Sequence, residues 1–154
     1  MPNLFVYDSP IGKLSLAEAE GALSHIWFSD QTGLPGYQLL KTPLLKDTAA
    51  QLFAYFNRKL TQFDVPLSMQ GTAFQRSVWE ALQTIPFGET RSYRDIAVHI
   101  GNAKAARAVG MANNRNPIPI IVPCHRVIGA SGQLVGFNSG LSIKRFLLDL
   151  ESGR

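Results

Sequence analysis

Cys124 is the only cysteine among 154 residues. It stands directly before His125 and Arg126, at the end of the run Asn116-Pro117-Ile118-Pro119-Ile120-Ile121-Val122-Pro123. The thiolate is the nucleophilic form of cysteine, and two neighbours able to carry positive charge favour it over the thiol that dominates at a free pKa of about 8.5. Pro117, Pro119 and Pro123 fix φ and remove backbone donors, restraining the segment that presents the sulfur more than a core strand requires. Cysteine is also a common buried filler, so it is the setting that carries the reading of a reactive thiol. One cysteine excludes an internal disulfide and any multi-cysteine metal cage. His25 and His99 read as structural, on elements separate from His125, so neither a metal nor another cofactor is expected.

The elements that must hold this thiol fall into two parts. Leu4-Phe5-Val6-Tyr7, Lys13-Leu14-Ser15-Leu16-Ala17 and Leu23-Ser24-His25-Ile26-Trp27-Phe28 are short β-prone runs separated by Pro10-Ile11-Gly12 and Glu20-Gly21-Ala22, a small antiparallel meander. Thr42-Pro43 opens a helix to about Lys59, with Leu45, Ala49, Leu52, Phe53 and Phe56 on one face. Residues 61–71 lack periodicity and read as a linker. The expected class is therefore α+β: a small sheet-and-helix domain over residues 1–68 and a mainly helical domain over 69–154. In the second part, Thr72 and Gln75 have capping-box spacing ahead of Phe74, Val78, Leu82 and Ile85, and Pro86-Phe87-Gly88 ends that helix. Ser92 and Asp95 start a short helix that stops at Gly101. Asn102 can cap the next helix, about Ala103 to Ala112, giving a helix-turn-helix pattern.

Charge divides along the same boundary. Residues 1–68 carry five Lys/Arg and six Asp/Glu, whereas residues 69–154 carry ten and five. From 91 to 126, Arg91, Arg94, Lys104, Arg107, Arg115 and Arg126 face only Asp95, a pattern that suits either a polyanion footprint or an ordinary solvated face. In the second helix of the pair, Ala103, Ala105, Ala106, Ala108, Gly110 and Ala112 leave mostly bare surface. Such a helix can approach a duplex closely but has few groups to read base edges; tight helix packing explains the alanines equally well. The amino end lacks a basic and apolar leader pattern and no stretch approaches a membrane span, which points to the cytoplasm and to no membrane partner.

The run from Thr72 to Glu151 resembles the O6-alkylguanine-DNA alkyltransferases, also called methylated-DNA–protein-cysteine methyltransferases. The matches are Phe74-Gln75-Arg76-Ser77-Val78-Trp79, Ile85-Pro86-Phe87-Gly88-Glu89-Thr90, Ala105-Ala106-Arg107-Ala108-Val109-Gly110, Asn116-Pro117, Pro123-Cys124-His125-Arg126-Val127 and Leu147-Leu148-Asp149-Leu150-Glu151. The amino-terminal part resembles the family's small RNase H-like domain more weakly, mainly through Ser9-Pro10-Ile11-Gly12 and the strand order.

The resemblance implies direct-reversal repair of duplex DNA, in which a methyl or other alkyl group on O6 of guanine, with O4-alkylthymine as a further candidate, passes irreversibly to Cys124. It implies that Glu151, His125 and a water activate the sulfur and that Tyr93 supplies a proton or hydrogen bond at O6. Asn116 would tie the recognition helix to the cysteine segment. Arg107 would fill the gap left by the flipped nucleotide, with Asn102, Lys104, Ala106, Arg94 and Arg115 at the DNA and the helix in the minor groove. Pro119, Val127 and the loop carrying Phe137, Asn138 and Ser139 would line the guanine pocket. In an extended segment, Cys124 and His125 would project to opposite sides with the water between them. The protein is expected to be a monomer that can assemble along DNA.

Asn114 stands where many relatives have glycine, at a turn expected to need positive φ, and Ser139 replaces one glycine of the usual pair. Three other readings fit parts of the pattern; one, a non-catalytic lesion binder related to the same family, is argued against by the retention of Cys124. A transcription factor would use longer base-reading side chains and a dimerisation element. A thiol hydrolase would need an oxyanion hole that a proline-rich approach offers poorly.

Overall fold

Three strands open the chain: β1 (Asn3–Ser9), β2 (Gly12–Ala19) and β3 (Ala22–Trp27). The β2–β3 connection is two residues long, with Glu20 and Gly21 both at positive φ. That is the tight hairpin turn whose twist matches the flanking strands. β2 is central, and Leu14, Ser15, Leu16 and Ala17 are all fully buried along it. A strand absent from the sequence reading, β4 (Gln38–Leu39), pairs parallel to β1 and completes the order β3-β2-β1-β4. Two residues are too few to show a period.

α1 (Pro43–Phe56) is capped by Thr42, whose hydroxyl accepts from the Leu45 N–H at 3.2 Å. Its buried stripe is Leu45, Thr48, Ala49, Leu52, Tyr55 and Phe56. Phe53, expected on that face, is 62% exposed; one residue past Leu52, it is turned about 100° away by helical geometry. The supposed linker is fixed: Leu23 N–H donates to Pro66 C=O, and Ser68 N–H to Leu23 C=O, both at 2.8 Å. The structure, a computed structural model, describes residues 1–134 and 140–153 and divides into two compact units, Met1–Gln70 and Gly71–Arg154.

The second unit begins with α2 (Ala73–Leu82), which has a full Thr72/Gln75 capping box. Trp79, 2% exposed, anchors it by donating its indole N–H to Ala112 C=O at 2.9 Å. A two-stranded parallel ladder joins β5 (Arg91–Ser92) to β6 (Val127–Ile128). α3 (Tyr93–His99) follows β5 with a Ser92/Asp95 capping box, and the chain turns at Gly101, φ +81°. α4 spans Ala106–Asn114, three residues later than the sequence suggested, and its cap residue Ala105 makes no side-chain cap bond. Asn102 is instead the start of a preceding turn, in which its C=O accepts from Ala105 N–H at 3.0 Å. Asn114 lies inside α4 and has no positive φ, so no glycine-like turn is needed there. The last element, α5 (Leu141–Ser152), ends at Gly153 in the left-handed region. Among the described residues, no helix is long and apolar enough to cross a membrane.

Candidate active site

Cys124, His125 and Arg126 form a single 3-10 turn leading into β6, not an extended segment. The turn is closed by Arg126 N–H on Pro123 C=O at 3.0 Å and is preceded by Cys124 N–H on Val122 C=O at 2.8 Å. The upstream run folds tightly because Asn116 braces it: Asn116 Nδ2 donates to Val122 C=O at 2.7 Å, and Asn116 Oδ1 accepts from Ile118 N–H at 3.0 Å. At its apex Ile120, 1% exposed, adopts φ +73°. A buried β-branched residue in that region is strained and is held there by its surroundings. Asn113, at the inner face of α4, donates from Nδ2 to Cys124 C=O at 3.3 Å. α4 is thus tied directly to the sulfur-bearing turn through Asn113, while Asn116, two residues past the helix, braces the run that leads into it.

The thiol is 4% exposed. Burial pushes its pKa up to about 11, against the opposing pull of the Asn116 side chain, the Lys144 charge and the backbone N–H groups of Cys124 and His125. His125 and Lys144 are fully buried and Glu151 is 6% exposed. His125 Nε2 lies 2.6 Å from Glu151 Oε2, and its Nδ1 has no hydrogen-bond partner among the described residues. Burial lowers the imidazole pKa, and Glu151 opposes that shift. For Glu151, burial alone would raise the carboxyl; hydrogen bonds and charge from His125 and Arg126 outweigh it and hold the group at about 2. The imidazole is therefore neutral with Nε2–H on a carboxylate, which leaves the Nδ1 lone pair available as a base.

Arg126, counted with the basic stretch from sequence, is 6% exposed. Its Nε and Nη2 hold Glu151 at 2.7 and 3.0 Å, so it is withdrawn from any external polyanion. Lys144 was missed. Its Nζ donates to Val127 C=O at 2.5 Å, and burial brings its pKa down to about 8. The signal was present: Lys144, Leu147 and Glu151, at i, i+3 and i+7, are the buried stripe of α5, and a lysine and a glutamate on a core face require partners inside.

Tyr93, at the start of α3, is half-buried. Its ring packs 3.7 Å from where a β-carbon on Gly110 of α4 would sit, and burial, then the nearby Cys124, raises the phenol pKa. Arg94, Asn102, Lys104, Arg107 and Arg115 are exposed, and Ala106 is half-buried. An open cleft lined by Met111, Asn114, Arg115 and Asn116 lies at the end of α4. Pro119 and Val127 are buried; Phe137, Asn138 and Ser139 lie outside the described residues. Among the described residues, no three His, Cys, Asp or Glu side chains are grouped to hold a metal ion.

A helix-turn-helix pair braced against a buried thiol, with an imidazole and a carboxylate beside it, is the arrangement of a DNA-binding protein with a cysteine-centred site. Comparison with known proteins narrows that class. The description "6-O-methylguanine DNA methyltransferase, DNA binding domain" matches residues 73–153, and the ribonuclease-like domain of the same description matches residues 5–69. A methylated-DNA–protein-cysteine methyltransferase of Methanosarcina acetivorans is 52% identical over 149 residues, covering 95% of this chain and 96% of its own. One from Mycobacterium tuberculosis is 53% identical over 153 residues, covering 96% and 90%. The crystal structure of Mycobacterium tuberculosis OGT in complex with DNA superposes with a TM-score of 0.91 at 51% identity, covering 98% of this chain and 93% of that one. The chain belongs to the 6-O-methylguanine DNA methyltransferase family.

Proposed function

We propose that this protein repairs alkylated DNA by moving the alkyl group from O6 of a flipped-out guanine to Cys124, once per molecule and without reversal. The observation that carries this reading is the His125 pair of contacts: Nε2 on a clamped carboxylate, Nδ1 unpartnered, in the turn that buries the thiol. A water between Cys124 Sγ and His125 Nδ1 passes the thiol proton to the imidazole. The thiolate then attacks the alkyl carbon; the S–C bond forms as the C–O bond breaks, and the electron pair stays on the guanine oxygen. Tyr93, whose raised pKa keeps the phenol protonated, meets that developing charge. The proton held by His125 restores neutral guanine.

The lesion cannot reach a buried sulfur while stacked, so the nucleotide leaves the duplex at a cost of a few kcal/mol. Arg107 fills the gap in the stack, and the small residues of α4 admit the helix to a minor groove. Arg94, Asn102, Lys104, Ala106 and Arg115 contact the backbone. Pro119 and Val127 form part of the wall of the guanine site, with Phe137, Asn138 and Ser139 as further candidates. The protein works as a monomer, and successive copies can line up on DNA.

Duplex carrying O6-methylguanine with a labelled methyl tests this reading. The label is expected on the peptide containing Cys124, and Cys124→Ser is expected to bind DNA without acquiring it. Arg107→Ala is expected to slow repair of duplex at least tenfold more than reaction with the free modified base. Equal slowing of both would remove its role in extrusion.

A further inference from the structure

Arg126 contributes to the site through three directed bonds. Nε donates to Glu151 Oε1 at 2.7 Å, Nη2 to Glu151 Oε2 at 3.0 Å, and Nη1 to Ile85 C=O at 2.7 Å. The Phe87 ring lies 5.9 Å from the guanidinium. Both carboxylate oxygens are therefore held by one planar fork, a geometry that lysine cannot reproduce. Glu151 Oε2 is shared between that fork and His125 Nε2. If the carboxylate rotated or took up a proton, the imidazole would be free to reverse its tautomer and place its hydrogen on Nδ1, where the reaction needs a lone pair.

We propose that Arg126 is a positioning residue of the transfer reaction: by clamping both oxygens of Glu151 it fixes His125 as the Nε2–H tautomer and keeps the imidazole an uncharged base. This rests on the reading of Cys124 and His125 given above. It adds a member that touches neither DNA nor sulfur. Among the described residues, the ionisable groups around His125 are Glu151 and Lys144 on α5 and Cys124 and Arg126 on its own turn, with Cys124 in turn acting on Tyr93 of α3. Of these, Glu151 stabilises the imidazolium while Arg126 and Lys144 oppose it. Removing Arg126 leaves the carboxylate charge to act on the ring alone.

A plain structural staple between α5 and the turn would predict lost stability and nothing else, so the test reads chemistry. In the intact wild-type protein, 15N NMR of His125 is expected to show a protonated Nε2 and an unprotonated Nδ1 near neutral pH; the reverse assignment overturns the proposal. In Arg126→Met, single-turnover methyl transfer from O6-methylguanine duplex is expected to lose its acid limb about one pH unit higher, making the rate on that limb about tenfold slower. Its His125 signals are expected to show the doubly protonated ring persisting to higher pH than in wild type, because the carboxylate is no longer screened. Arg126→Lys keeps a charge but not the fork. It is expected to leave the acid limb near its wild-type position while the plateau rate falls about tenfold. A wild-type pH profile in folded Arg126→Met, or a wild-type plateau in Arg126→Lys, overturns the proposal. Wild-type protein that gains no methyl at all would instead remove the underlying reading of Cys124.

Discussion

Burial opposes charge on Cys124, and a specific set of groups opposes burial: the Asn116 side chain, Lys144 and two backbone N–H groups lie where they favour sulfur carrying a negative charge. With the thiol at about 11 and the imidazole below its usual value, the resting pair at neutral pH is thiol and neutral base, and the thiolate exists only as the proton moves. The single-turnover rate of methyl transfer is therefore expected not to rise between about pH 7 and 9: it falls on the acid side as His125 takes a proton and slackens above about pH 8 as Lys144 loses its charge. A rate rising tenfold per pH unit across that window would mean that free thiolate is required and that His125 is not the base. Lys144→Met removes a charge that favours the thiolate, so the Cys124 pKa is expected to rise further. Alkylation by iodoacetamide at about pH 7, where Lys144 still carries its proton, followed by mass, should slow accordingly; an unchanged rate would confine Lys144 to its bond with Val127 C=O.

The elements place these side chains by short-range rules with a few long-range ties. Gly88, in the turn closed by Glu89 N–H on Pro86 C=O beyond the end of α2, has φ +84°, and a β-carbon there would meet the Glu151 carbonyl oxygen at 3.3 Å. Gly88→Ala is expected to cost about 1 to 2 kcal/mol from backbone strain, read by urea unfolding, and to slow transfer by pressing on the helix that carries Glu151. The helices of this unit were legible because their signals are local: the Thr72/Gln75 and Ser92/Asp95 boxes and the Gly101 stop all appear where their spacing puts them. The start of α4 was misplaced because Asn102 has the chemistry of a cap and instead opens a turn. β4, β5 and β6 were missed because a two-residue strand is defined by its partner across the chain. The site divided in the same way. Cys124 and His125 announce themselves as neighbours, whereas the Arg126–Glu151 clamp joins residues 25 apart, and Lys144 was legible only as a charged residue on an apolar stripe.

At the scale of the whole molecule, the surplus of positive charge in residues 69–154 survives the burial of Arg126 and Lys144, because Arg94, Lys104, Arg107 and Arg115 remain exposed. DNA affinity is expected to fall steeply with salt, and Arg94→Ala to reduce the magnitude of the log–log slope by about 1 if it meets one phosphate; fluorescence anisotropy over a salt series reads both. In the function proposed above, one sulfur accepts one alkyl group and is then spent. Titrating a fixed amount of protein with increasing O6-methylguanine duplex and counting restored guanines tests it most directly. A plateau is expected at one repaired guanine per protein molecule, with S-methylcysteine at position 124 in every repaired equivalent. Repair that continues past one equivalent, or that leaves Cys124 unmodified, would contradict it.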